Sequence, residues 1–213
     1  MTLFSSLIGG LGLLLIGMAL MSDGLKLAAG NSLRDFLAQW TNTRSRGLFS
    51  GFMITGIVQS SSAVTVATIG FANAGMLSLE RAVWVIYGSN VGTTMTAWIV
   101  ALIGFQVNIE GLALPLVGIG ALLKLTGADS RRASFGMALV GFGLLFLGIS
   151  ILKTSFENLG SDFSFPVIEN LNVLAICLYV LLGFLLTTLM QSSSAAMVIA
   201  LSAAEGGLLD INA

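Results

Sequence analysis

Uncharged, largely apolar runs extend from Met1 to Ser22, Gly47 to Leu79, Ala82 to Ile109, Ala133 to Leu152 and Asn170 to Ala204. Each reaches or exceeds the roughly 20 residues that cross a bilayer core as helix, so each predicts a membrane-embedded helical segment. A shorter run, Gly111 to Leu123, is interrupted by Pro115 and gains spanning length by borrowing flanking residues such as Lys124, whose stem can snorkel. The first run has no basic residue before Leu3 and stays apolar to Leu20, which predicts a first span and not a cleaved signal peptide. Leu25 to Trp40 and Thr154 to Asn170 mix charges with apolar residues and predict amphipathic segments at the interface.

Two of the long runs carry the same polar interruption. Gln59, Ser60, Ser61 and Ser62 recur as Gln191, Ser192, Ser193 and Ser194. The recurrence extends outward: Gly10, Gly12 and Gly17 fall on Gly141, Gly143 and Gly148, and Gly51, Phe52 and Thr55 fall on Gly183, Phe184 and Thr187, at an offset of 131 to 132 residues. The chain therefore holds two copies of one unit, residues 1–127 with a connecting span and residues 128–213, as in many transporter folds.

Basic residues orient the copies. Lys26, Arg34, Arg44 and Arg46 follow the first run, and Lys124, Arg131 and Arg132 surround the connection near residue 128, so both segments are expected on the cytoplasmic side. Phe105 to Glu110 has no basic residue, and Lys153 to Glu169 sets one against Glu157, Asp162 and Glu169, so both are expected outside. The N-terminus is then outside and the two repeats have inverted topology. Between Arg46 and Glu110 the chain must cross an odd number of times, although two long runs lie there. The run holding Gln59 is expected to enter and turn back, because a polar break near its centre suits a re-entrant or discontinuous helix. The fold class is thus an all-α polytopic membrane protein built of two inverted repeats with broken or re-entrant helices.

Composition removes competing classes. The chain has 213 residues, 56% of them apolar and 9% charged, with a mean hydropathy of +0.98, which is the profile of a membrane protein in a lipid bilayer. A net charge of −1 gives no nucleic-acid footprint. Histidine is absent and Cys177 is the single cysteine, so Ser-His catalysis, an intramolecular disulfide and a zinc site are all excluded; Cys177 is expected as a small packing residue. Every acidic residue lies at or beyond the ends of the apolar runs, which argues against a proton relay through the membrane centre.

The polar blocks remain. On a straight helix rising about 1.5 Å per residue, Gln59 lies roughly 18 Å from Gly47, near the bilayer midplane. Serines there can bond back to their own helix, but a glutamine amide without partners costs several kcal/mol in hydrocarbon. A broken helix exposes amide N–H groups suited to an oxyanion and carbonyls suited to sodium, and serine hydroxyls and the glutamine carbonyl can serve either. Thr55 and Thr187, four residues before each glutamine, are candidate supports. A further polar stretch, Gly88 to Thr94, offers Ser89, Asn90, Thr93 and Thr94, with glycines that permit either a backbone break or helix packing. An anion held without charged side chains favours co-bound cations, hence sodium coupling.

Gln59 to Ser62, Gly88 to Thr94 and Gln191 to Ser194 resemble the type II sodium-phosphate cotransporter family of bacterial type, whose two inverted repeats each carry a Gln-Ser-Ser-Ser block followed by a Gly-x-Asn-x-Gly-Thr-Thr-like stretch. The resemblance implies a secondary active transporter of the cell membrane and not an enzyme. It implies inorganic phosphate and sodium bound centrally by these blocks, sodium at Gln59, Gln191 and the neighbouring serines, and alternating access. The only cofactors implied are the co-transported sodium ions. One departure is expected: by the repeat offset the partner of Gly88 falls near position 220, past Ala213, so the second repeat reads as truncated after Gly206, Gly207, Leu208 and Leu209, which echo Ala74 to Leu77.

Other readings stay open. One is a sodium-coupled carrier of another oxyanion, which the polar blocks alone do not separate from phosphate. Another is a structural or assembly subunit built on small-residue packing at Gly47 and Gly51. An intramembrane Ser-Lys hydrolase is disfavoured because Lys26, Lys124 and Lys153 lie at span ends. Association into a homo-oligomer is compatible with all of them.

Overall fold

The computed structural model describes residues 3–30, 32, 35–36, 40–104, 109–127, 130–162 and 173–207. Eight α-helices hold most of them, with no strand among the described residues: α1 Leu3–Ala29, α2 Arg44–Val58, α3 Ser61–Asn73, α4 Leu79–Ile99, α5 Ile109–Thr126, α6 Arg131–Asp162, α7 Val173–Met190 and α8 Ser193–Glu205. Two are individually long and apolar enough to cross a membrane, α1 and the Arg131–Leu159 part of α6. Two of the other long runs divide, one at Gln59 and one at Gln191, so neither of these forms one straight span.

The first and sixth helices form the spine. Gly10, Gly17 and Gly24 of α1 meet Gly148, Gly141 and Ser134 of α6, so the two run antiparallel. A Cβ on Gly17 would stand 2.7 Å from the Gly141 carbonyl oxygen, and one on Gly141 would stand 2.6 Å from that of Gly17. Backbones this close gain dispersion along the whole contact, which is how helices associate where lipid is as apolar as leucine. Leu14, Leu145, Phe146, Ile149 and Leu152 fill the flanks and are almost wholly buried. The fifth helix lies on α6, where Gly120 and Gly136 approach in the same way; it passes through Pro115 without a break and reaches 18 residues by including Lys124.

A second pair is formed by α2 and α4. Gly51 lies against Val85 and Ser89, Gly88 against Leu48, and Gly92 against Phe52 and Thr55, so these helices run parallel. At their shared starting end Arg44 reaches Glu80 at 2.5 Å. The chain therefore leaves along α2, breaks at Gln59, and comes back along α3 before α4 begins beside the start of α2.

Of the two roles left open for the glycines of Gly88 to Thr94, the structure shows packing: α4 is continuous from Leu79 to Ile99, and these glycines lie close against α2. Irregular backbone comes later, as a π-helical turn over Val100–Gly104. Other expectations are corrected. The charged stretches after the two long runs are not wholly separate interfacial pieces, since α1 continues to Ala29 and α6 to Asp162. Cys177, expected as a packing residue, is exposed: among the described residues α7 lies mainly against α8 and leaves Val180, Leu181 and Phe184 uncovered. Residues 105–108, 128–129, 163–172 and 208–213, which include parts of the expected loops and the echo at Leu208 and Leu209, lie outside the described residues.

Candidate functional site

The site grows from two helix ends. At Gln59 the backbone N–H still donates to the Thr55 carbonyl, at 2.7 Å, but φ turns to +57° and the helix stops. Ser60 is extended, and its Oγ accepts from the Ala63 N–H at 3.3 Å, capping α3. At the second block Gln191 has φ +51°, and Ser192, equally extended, accepts from Ala195 N–H at 3.2 Å to cap α8. Among the described residues these glutamines are the only non-glycine residues with positive φ. That conformation costs an L-residue about 1–2 kcal/mol, so its occurrence twice at the same letter marks a constrained position.

Each break sets the carbonyl end of one short helix beside the amide end of the next, which offers partial negative and partial positive charge within a few ångströms. The first serine of each block is occupied in capping. Ser61 and Ser194 are half-buried, whereas Ser62 and Ser193 are exposed.

Hydroxyls from neighbouring helices fasten the first break. Thr55 Oγ1 and Ser89 Oγ lie 2.6 Å apart and are fully buried, and Ser89 also donates to the Ser61 carbonyl at 3.4 Å. Ser22 of α1 donates to the Val58 carbonyl, the last of α2, at 3.1 Å. The Gln59 carboxamide is held at both ends: Nε2 donates to the Gly56 carbonyl at 2.5 Å, and Oε1 accepts from the Thr96 hydroxyl. It borders a cavity of about 70 Å³ whose other walls include Met21, Ile57, Val100, Phe142 and Leu145. That space is apolar and holds at most a few waters, so it is not shaped for a hydrated anion.

Of the sequence candidates, the structure brings together Gln59, Ser60, Ser61, Thr55 and Ser89. Thr93 is half-buried and returns its hydroxyl to the Ser89 carbonyl at 3.1 Å. Asn90 and Thr94 face away from α2 and are exposed, Thr94 bonding back to Val91 at 2.7 Å. Gln191 is exposed and Thr187 half-buried, and no hydrogen bond joins the two breaks among the described residues. Thr96 and Ser22 are the residues that sequence reasoning missed. Each is one hydroxyl in an apolar run, and nothing in the letters separates them from serines and threonines that bond back to their own helix. No group of three or more acidic or cysteine side chains could hold a metal among the described residues; oxygens available to a hard cation are hydroxyls, carboxamides and backbone carbonyls.

All-helical architecture, two helices long and apolar enough to cross a membrane and a pair of matching helix breaks are features found in membrane proteins with discontinuous helices. Comparison with known proteins gives the family: residues 13–154 match the model described as Na+/Pi-cotransporter, and the chain belongs to that family of transporters. The uncharacterized protein YqeW of Bacillus subtilis is 32% identical over 202 residues, which are 92% of this chain and 62% of that protein. A protein named for inorganic phosphate export, YjbB of Escherichia coli (strain K12), is 24% identical over 203 residues, 95% of this chain and 36% of its own length. The sodium-dependent phosphate transport protein 2A of Rattus norvegicus is 33% identical over 98 residues, 45% of this chain and 15% of that one. The chain thus spans about three fifths of the first of these relatives and about a third of the second. No solved structure matches it.

Proposed function

We propose that the protein contributes to sodium-coupled transport of inorganic phosphate by alternating access, with the two Gln-Ser-Ser-Ser breaks as the binding elements. The observation that carries this reading is the identical geometry of the breaks: glutamine at positive φ, then an extended serine capping the next helix. Phosphate is met by the amide ends of α3 and α8 and by Ser61, Ser62, Ser193 and Ser194. Sodium is met by the Gln59 and Gln191 carbonyls and neighbouring hydroxyls, with Asn90, Thr93 and Thr94 as further polar groups on α4.

The spine supports inverted topology. Gly10 packs on Gly148 and Gly17 on Gly141, while the repeat offset relates Gly10 to Gly141 and Gly17 to Gly148. Exchanging the repeats therefore exchanges the two contacts, as a two-fold axis between antiparallel helices requires. In this reading, the loop charges put the N-terminus outside the cell membrane.

The names of relatives favour a second reading of direction: one group is named for phosphate export and another for sodium-dependent phosphate transport. Flux of labelled phosphate in reconstituted vesicles separates them. Uptake driven by an inward sodium gradient, lost in choline and in Gln59→Ala, is the expected result. Flux unchanged when choline replaces sodium rejects sodium coupling, and binding intact in both Gln59→Ala and Gln191→Ala rejects the site.

A further inference from the structure

We infer that Thr96 is a positioning residue for the first break: its hydroxyl fixes the Gln59 carboxamide in the orientation from which Gln59 meets its ligand. This rests on the reading that Gln59 contacts phosphate or sodium.

A threonine in an apolar helix ordinarily returns its hydroxyl to a carbonyl of the preceding turn. Thr68, Ser155, Thr188 and Ser202 all do so here, to the carbonyl four residues back. Thr96 has that option and does not take it. Its hydroxyl instead crosses to Gln59 Oε1, thirty-seven residues away in sequence, although the side chain is only 4% exposed. The position is set by close packing of α4 on α2, where Gly92 and Gly51 let the backbones meet. Regular helix ends three residues later, at the π-helical turn, and such turns recur near functional positions.

The consequence is local to one amide. Gln59 has three rotatable side-chain bonds and a backbone already held at positive φ. Bonds to Gly56 and Thr96 occupy one N–H and one lone pair, which leaves the second N–H and the second carbonyl lone pair for a ligand in a fixed direction. The counterpart glutamine shows the alternative: Gln191 is exposed and makes no side-chain hydrogen bond among the described residues. Thr96 therefore acts through Gln59 and touches no ligand itself.

Two measurements test this on the whole chain in lipid. In the first, Thr96→Val removes the hydroxyl and keeps the shape, while Thr96→Ser keeps the hydroxyl. Thr96→Val is expected to raise the sodium or phosphate concentration for half-maximal flux by about five- to tenfold, the loss of one hydrogen bond, with the maximal rate little changed and Thr96→Ser near the parent. In a Gln59→Ala background, where uptake is lost and the readout is the residual binding of labelled phosphate, Thr96→Val should add nothing. Multiplying effects, or no change in half-saturation in a folded Thr96→Val protein, overturn the inference. If Thr96→Val does not fold, Thr96→Cys takes its place, with the same outcomes read from it. The second measurement does not depend on transport. The four glutamines, Gln39, Gln59, Gln106 and Gln191, are labelled with nitrogen-15, and the Gln59 amide signal is assigned by its loss in Gln59→Asn. Thr96→Val should shift and broaden that signal and leave Gln191 in place; an unmoved Gln59 signal refutes the positioning. Absence of phosphate flux in the parent counts against the functional reading, whereas this signal still decides the role of Thr96.

Discussion

Replacing Gly51 by alanine isolates the contact that builds the first break. A Cβ there would stand 2.0 Å from the Val85 carbonyl oxygen and 2.9 Å from the Ser89 nitrogen. Ordinary contact begins near 3.4 Å, so α2 and α4 must separate by about 1.4 Å, a shift that close-packed helices resist. The same movement takes the 2.6 Å bond between Thr55 and Ser89 to about 4 Å, beyond hydrogen-bond reach. Overpacking costs about 1–3 kcal/mol and unsatisfied buried hydroxyls about as much again, against roughly 1 kcal/mol returned by the helix preference of alanine over glycine. Gly183 is the control. It holds the corresponding place in α7, with nothing within 4 Å of a built Cβ, so Gly183→Ala should leave stability unchanged or slightly raised. Unfolding of the purified protein in a dodecyl sulfate titration, followed by circular dichroism, compares the two. Equal midpoints for Gly51→Ala and Gly183→Ala would falsify the claim that glycine at 51 is required by the approach of α4.

Further outcomes follow from the same geometry. Ser60→Ala and Ser192→Ala each remove an N-cap worth about 0.5–2 kcal/mol and should speed amide hydrogen exchange in the first turn of α3 or α8 respectively; unaltered exchange there means the hydroxyl caps nothing. Arg44→Ala breaks an ion pair whose side chains are 70% and 61% exposed. It should cost under about 1 kcal/mol and nothing measurable in molar salt, so a large salt-independent loss of stability counts against the pairing seen at the start of α2 and α4.

The positions of the two helix breaks were legible in letters. The Gln59 and Gln191 blocks announced helix breaks because a polar cluster in an apolar run has few other resolutions, and both breaks fall at those glutamines. Less legible was how the residues around them are used. Thr94 and Thr96 are alike in type and two positions apart, yet about 200° of helix rotation separates them. One is exposed and bonds to its own helix, and the other is buried against Gln59. Gly88 and Gly92 permitted a kink or a contact, and only the presence of α2 beside them made the contact. Asn90, a candidate from the same stretch, faces the other way for the same reason.

The sequence by itself determined that the protein is helical and membrane-like, with a helix break at each of two recurring polar blocks, because hydrophobic run length and clustered polar letters act locally along the chain. Which hydroxyl answers which break was decided by tertiary structure. The antiparallel crossing of α1 and α6 and the parallel packing of α2 on α4 bring together residues more than thirty positions apart, and a hydrogen bond between them exists only after backbone meets backbone at glycine.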